Sequence, residues 1–184
     1  MLASASPRRA DLLHSVGLDF DVVPADIDES VLPGETPAEY VARLSVEKAR
    51  VVAEGLVAVS IVVAADTTVD VDGHILEKPV DDADARRMLG LLSGRVHLVH
   101  TGVTVGGLDG SITRVVETAV EFVTLSPASI DWYIATGEPF GKAGAYAIQG
   151  AGGALVRRLD GSVTNVIGLP LAETLELIAR HPNP

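Results

Sequence analysis

Two long β-rich runs, Val96–Val105 and Thr113–Thr124, face each other across Gly106-Gly107-Leu108-Asp109-Gly110. Val and Thr dominate both runs, and the glycines between them suit a turn, so the pair predicts a hairpin of two long strands. A chain carrying such a hairpin must build a sheet around it. Ser60–Ala65 is nearly all apolar and predicts a strand covered on both faces. Thr68–Val71 and His74–Leu76 flank Asp72-Gly73, a hairpin turn signal. Leu155–Arg158 and Val163–Ile167 are expected as strands around Asp160-Gly161. Met1–Ala3 would be a very short strand stub, and Phe20–Val23 a short strand.

Between these runs lie helix signals. Ser6 is expected to cap a helix with Pro7 at its first position, Gly17 at its end, and Leu12, Leu13 and Val16 as its apolar stripe. Thr36-Pro37-Ala38-Glu39 is a capping box. Its helix is expected to reach about Glu54, with Tyr40, Val41, Leu44 and Val51 on one face and Glu47-Lys48 on the polar side. Asp81 or Asp82 opens a helix through Leu92 that Gly94 terminates. Ser126-Pro127 starts another that ends near Gly137, with Trp132 and Tyr133 in its core, and Leu171–Arg180 closes the chain. The alternation predicts an α/β fold with a central mixed sheet and helices against it.

The chain has 184 residues, which suits one domain over 1–184. It has no cysteine, which excludes disulfides, thiolate zinc sites and a cysteine nucleophile. A net charge of -11 argues against a nucleic-acid polymer as partner. It leaves room for a small anion held by a local basic cluster or a metal. No apolar run reaches the ~18–20 residues of a membrane span, and no leader pattern opens the chain. A soluble cytoplasmic protein is the expectation. Against eleven arginines stand three lysines, Lys48, Lys78 and Lys142. Such scarcity reflects either a bias toward Arg or sites that need a compact ammonium.

Ser4-Ala5-Ser6-Pro7-Arg8-Arg9 lies between a strand and a helix start, where free N–H groups and the helix dipole favour an anion. With two hydroxyls and two guanidinium forks it suits a phosphate cradle, and equally an ordinary Ser-Pro cap beside two surface arginines. Asp66 follows an apolar strand abruptly, where an acid can hold a divalent metal, act as base toward water, or close a turn. Asp28-Glu29, Glu47-Lys48 and Glu77-Lys78 are each solvated charges unless they converge on Asp66. Gly137–Ala143 has three residues between its glycines and no Ser or Thr after Lys142, so it fails as a P-loop. Gly150-Ala151-Gly152-Gly153 lacks a dinucleotide fingerprint's spacing, and both segments are expected as turns. The five histidines show no ligand spacing and are expected to be structural or exposed, and no serine sits in a nucleophile elbow.

Together these segments resemble the Maf family of nucleoside triphosphate pyrophosphatases, along nearly the whole chain. The resemblance rests on Leu2–Arg9, Asp28-Glu29-Ser30, Glu47-Lys48-Ala49, Ala65-Asp66-Thr67, Glu77-Lys78-Pro79 and Leu92-Ser93-Gly94. It continues through Lys142–Tyr146, Gln149-Gly150 and Gly168-Leu169-Pro170-Leu171. It implies a strongly twisted, Maf/ITPase-like sheet and metal-dependent hydrolysis to the monophosphate and pyrophosphate. Asp66 would accept the proton of the attacking water. Ser4, Ser6, Arg9, Lys48 and Lys78 would hold the phosphates, and Glu29 with Asp66 the metal, magnesium or manganese. Arg8, Thr67 and Gln149 stand at the positions that separate the family's dTTP/UTP branch from the 7-methyl-GTP branch, and match the first. The alternatives are a purine pyrophosphatase and a nucleotide-binding regulator of septum formation with little catalysis. The resemblance and the long hairpin suggest a homodimer. The family's pattern has several residues before Leu-Ala-Ser. Here Met1 abuts that motif, so a shortened or frayed first strand is expected, at some cost in stability or activity.

Overall fold

The computed structural model describes residues 1–55, 61–107 and 110–181. Its centre is a five-stranded sheet in the order β2-β1-β3-β4-β5, with every neighbouring pair antiparallel. The strands are β1 (Val62–Val71), β2 (His74–Leu76), β3 (Val96–Gly107), β4 (Gly110–Phe122) and β5 (Val156–Asp160). β3 and β4 form the expected hairpin, in register from Val96↔Glu121 to Gly107↔Gly110. The expected connector residues Leu108 and Asp109, like Ser60 at the start of the apolar run, lie outside the described residues. Among the described residues, parallel pairing enters only through Leu2, which bridges Val22 on one side and Val63 on the other. This stub is short but not frayed. Leu2 and Ala3 N–H donate to Asp21 and Val63 carbonyls, and Val23 and Val63 N–H donate to Leu2 and Met1 carbonyls, at 2.8–3.0 Å.

Helices α1 (Pro7–Ser15), α2 (Pro37–Glu54), α3 (Asp82–Leu92), α4 (Pro127–Ala135) and α6 (Leu171–Ala179) begin and end close to the positions expected. Thr36 and Glu39 complete both halves of the capping box, worth about 1 kcal/mol. Asp81 and Ser126 cap α3 and α4 by accepting the N–H of Asp84 and Ser129. Asp72 and Gly73 both have positive φ, the geometry a two-residue hairpin needs.

Side chains alternate across β1 and so sort the packing. Val62 and Ala64 meet Ala49, Val52 and Ala53 of α2 on one face. Val63 and Ala65 meet Leu2, Leu12, Leu13 and Leu177 of the stub, α1 and α6 on the other. Farther along that second face, Val69 and Val71 meet Met88 and Leu89 of α3 and Ile130 and Tyr133 of α4.

Several expectations need correction. Val163–Ile167 is a helix, α5, not a strand, because the Ser162 hydroxyl accepts the Asn165 N–H and starts a helical turn. Lys48 is not on the polar side of α2. It lies four residues from both Leu44 and Val52 and shares their buried face. β1 does not stop before Asp66. It runs unbroken to Val71, so Asp66 is a mid-strand residue. Ser6 is the N-cap of α1 by backbone alone, without a side-chain cap bond. Val16 and Trp132 are exposed rather than core. Phe20–Val23 contributes a single bridge at Val22, and Gly150–Leu155 is a 3-10 helix rather than a plain turn.

Candidate functional site

The cleft arises from a gap in the pairing of β1. On its outer edge Val63 bonds to the stub, and Val69 begins the pairing with β2. Between them, among the described residues, that edge has no strand partner, and Asp66 and Thr67 lie there. Ser4 leaves the stub and α1 starts at Pro7, so the chain turns away just where the edge opens. The result is a cleft of about 330 Å³.

The ten residues that the resemblance implies for the site all line this cleft: Ser4, Ser6, Arg8, Arg9, Glu29, Lys48, Asp66, Thr67, Lys78 and Gln149, whereas Asp28, Glu47 and Glu77 do not. The ten arrive on six separate segments. Lys142, Tyr146 and the Ile167–Gly168 turn also line it, outside the set that the resemblance implies. Lys142 was within reach as one of three scarce lysines, whereas nothing local marks the Gly168 carbonyl as an acceptor.

On one side the acids and lysines form a closed set. The Lys48 ammonium, buried on α2, donates to Asp66 Oδ1 at 2.7 Å and lies 2.6 Å from Glu29 Oε1. Lys78 reaches Glu29 Oε2 at 3.3 Å. Burial pushes the Glu29 carboxyl up, but the Lys48 and Lys78 ammonium groups outweigh it and hold it below its ordinary value. Two carboxylates thus converge on a single cation, which is the donor set that would suit one hard divalent ion. Among the described residues no third acid, histidine or cysteine joins them. A site with so few protein ligands suits an ion that takes its remaining oxygens from phosphate and water, as magnesium does.

On the other side, among the described residues, Arg8, Arg9 and Lys142 make no ion pair with an acid. Arg9 Nε donates to the Gly168 carbonyl at 2.8 Å, Nη1 to Ser4 Oγ at 3.1 Å and Nη2 to Thr67 Oγ1 at 3.1 Å. A guanidinium has five N–H groups, so part of its fork stays available. Burial depresses its proton affinity, with Asp66 and Glu29 opposing and Arg8 assisting. Thr67 Oγ1 also meets Thr101 Oγ1 at 2.9 Å, so its hydroxyl is occupied within the protein. Arg8 Nε leans on the Ile167 carbonyl at 3.4 Å. Lys142 makes no carboxylate contact among the described residues, and burial followed by Arg8 lowers its proton affinity. Ser4 Oγ accepts the Ser6 N–H at 3.2 Å, which tightens the turn into α1. Two neutralised lysines and three uncompensated cations therefore face one opening, on a chain of net charge -11. That distribution suits a polyanion of small size.

Comparison with known proteins agrees in scale. A family model described as "Maf-like protein" matches residues 1–181. A protein of Anaeromyxobacter sp. (strain Fw109-5), named dTTP/UTP pyrophosphatase, is 55% identical, with 100% of this chain and 91% of the relative covered. Proteins with the same name from Methylobacillus flagellatus and Shewanella oneidensis are 50% and 48% identical, covering 96% and 97% of this chain and 89% and 96% of the relatives.

Proposed function

The chain belongs to the Maf family, and on that premise we propose that it hydrolyses dTTP and UTP to the monophosphate and pyrophosphate. One observation carries the reading: ten residues picked out from the sequence, scattered between Ser4 and Gln149, line a single cleft. Relatives of whole-length similarity bear the name of that activity.

In this reading Arg9, Ser4 and Ser6, with Lys142 and Arg8 nearby, bind the triphosphate where the cleft carries uncompensated positive charge. Charge-assisted bonds of this kind contribute about 1.5–3 kcal/mol each. Glu29 and Asp66 would hold a magnesium or manganese ion, which would supply further positive charge to the phosphate oxygens. Asp66 takes the proton of a water directed at the α-phosphorus. Its place on a paired strand, with Lys48 fixing Oδ1, orients Oδ2 without a mobile loop. Lys48 holds the two acids together while the site is empty, Lys48 and Lys78 keep Glu29 ionised, and both offer their charge to the leaving pyrophosphate. Thr67 acts through Arg9, since its hydroxyl is engaged there. The Gln149 carboxamide can donate and accept toward a pyrimidine edge. Tolerance of both dTTP and UTP follows because one methyl group discriminates weakly.

The test is pyrophosphate release from dTTP, UTP, CTP, 7-methyl-GTP, GTP and ITP with magnesium or manganese, with Asp66→Asn as control. Turnover of dTTP and UTP, lost in the variant, is expected. Turnover of 7-methyl-GTP alone would overturn the substrate assignment. Nucleotide binding with no turnover at all would favour the regulator.

A further inference from the structure

The loop that carries Gln149 is held from behind by two side chains outside the machinery described above. Tyr133 on α4 is fully buried. Its hydroxyl accepts the Ala147 N–H at 3.1 Å and donates to Glu138 Oε1 at 2.8 Å. The Glu138 carboxylate in turn accepts the Gly152 N–H on Oε1 at 2.8 Å and the Ala151 N–H on Oε2 at 3.0 Å. The backbone is thus gripped two residues before Gln149 and two after it, by one bonded pair.

The fit around that pair is close. A Cβ on Gly152 would lie 2.2 Å from the Ala147 carbonyl oxygen and 2.6 Å from the Tyr133 hydroxyl. One on Gly150, whose φ is +81°, would lie 2.5 Å from Glu138 Oε2. Only hydrogen fits at either place, so the loop closes directly onto the two side chains. Burial pushes the Glu138 carboxyl up, yet the bonds from Gly152, Tyr133 and Ala151 prevail and hold it below its ordinary value. The Gln149 side chain makes no cap bond of its own to the 3-10 helix it precedes, and it faces the cleft. Its backbone is fixed while its carboxamide is left for a ligand.

We propose that Glu138 and Tyr133 are positioning residues that set nucleobase preference by fixing where the Gln149 backbone stands beside the cleft, and so what its carboxamide can reach. The proposal rests on the reading that Gln149 meets the base. A carboxamide has a donor end and an acceptor end, and it meets both groups of a base edge only while its backbone stands at the right distance. With the Ala147 or the Ala151–Gly152 anchor released, the Gln149 backbone can shift, its carboxamide no longer meets the base at the right distance, and the preference for UTP and dTTP falls.

The experiment measures kcat and KM for UTP, dTTP, CTP and GTP in the wild type, Tyr133→Phe, Glu138→Gln and Gln149→Ala. It adds the double variant Tyr133→Phe/Gln149→Ala. Tyr133→Phe keeps the buried ring, and Glu138→Gln keeps the shape on the loop side, so one remains if the other fails to fold. Either is expected to lower kcat/KM for UTP and dTTP about tenfold, mostly through KM, with much smaller loss on CTP and GTP. The double variant is expected to be no worse than Gln149→Ala alone, because the anchors act through that residue. An equal fall on all four nucleotides, a fall in kcat alone, or additive losses in the double variant would overturn the proposal. A wild type idle on all four would instead overturn the functional reading on which it rests.

Discussion

His97 predicts a specific weakness toward acid. Its ring lies on β3, 2% exposed, packed edge-on against Phe122 and Tyr146 at 4.9 and 5.4 Å. Nε2 meets the Tyr146 hydroxyl at 2.8 Å, while Nδ1 has no partner among the described residues. Charging this ring would bury a cation with no acid beside it, and burial lowers its pKa from 6.5 to about 4. In the unfolded chain the same ring protonates near 6.5. Between those values the unfolded state holds the extra proton, so stability is complete above pH 6.5 and falls as the pH drops toward 4. Each pH unit costs ~1.4 kcal/mol, which over the window amounts to about 3 kcal/mol. That is a large share of a typical domain's ~5–15 kcal/mol. Urea unfolding of the wild type and of His97→Leu between pH 7.5 and 4.5 isolates the effect as a difference in slope. The variant starts less stable, having lost the Tyr146 contact, but its stability falls less steeply with acid. Parallel curves would refute the reasoning, because the acid loss would then arise elsewhere. Since Tyr146 also lines the cleft, acid unfolding should disturb the base side of the site early.

Four further outcomes follow from the packing and the site. Lys48→Met leaves Asp66 and Glu29 facing each other without their shared cation and should cost about 2–4 kcal/mol in urea unfolding, recovered in part by also replacing Glu29 with Gln. Gly102→Ala would set a Cβ 2.2 Å from the Val41 carbonyl oxygen of α2, so a loss of about 3 kcal/mol or failure to fold is expected by circular dichroism. Thr36→Ala removes the α2 cap and should lower stability by about 1 kcal/mol with little change in turnover at saturating substrate. Thr67→Val keeps the shape but takes the hydroxyl from Arg9, and steady-state kinetics should show KM raised about tenfold with kcat less affected.

Much of the architecture was legible because its signals are local. Thr36, Asp81 and Ser126 announce helices through side chains that bond within one turn, and Asp72-Gly73 announces a hairpin through positive φ. The errors came where distant contacts decide. The Val163–Ile167 run has strand-like residues, but its Asn165 is wholly buried and bonds the Val99 carbonyl and Thr118, which favours a helical turn docked on the sheet. The charge of Lys48 suggests the solvent side, although its spacing from Leu44 and Val52 places it on the buried face. The apolar run stops at Asp66 and so suggests a strand end there. The β-forming residues Thr67, Thr68 and Val69 carry the strand on. The site residues were found through resemblance, since each segment alone also suits an ordinary surface. The Tyr133–Glu138 grip left no signal at all, because its partners are backbone amides of a loop whose folded path no local pattern gives.

The gap beside β1 has a consequence for hydrogen exchange. Peptide groups along a strand point alternately to its two sides. Those of Ala64, Asp66 and Thr68 turn toward β3, while those of Val63 and Val69 turn outward to the stub and to β2. Ala65 and Thr67 point outward as well, into the gap, where among the described residues no backbone partner meets them. A strand at the centre of the protein should therefore show alternating amide lifetimes, slow at Asp66 and fast at its two neighbours. Those two amides form a label-free gauge of occupancy: anything that fills the cleft should slow them first, before the rest of the sheet registers its arrival.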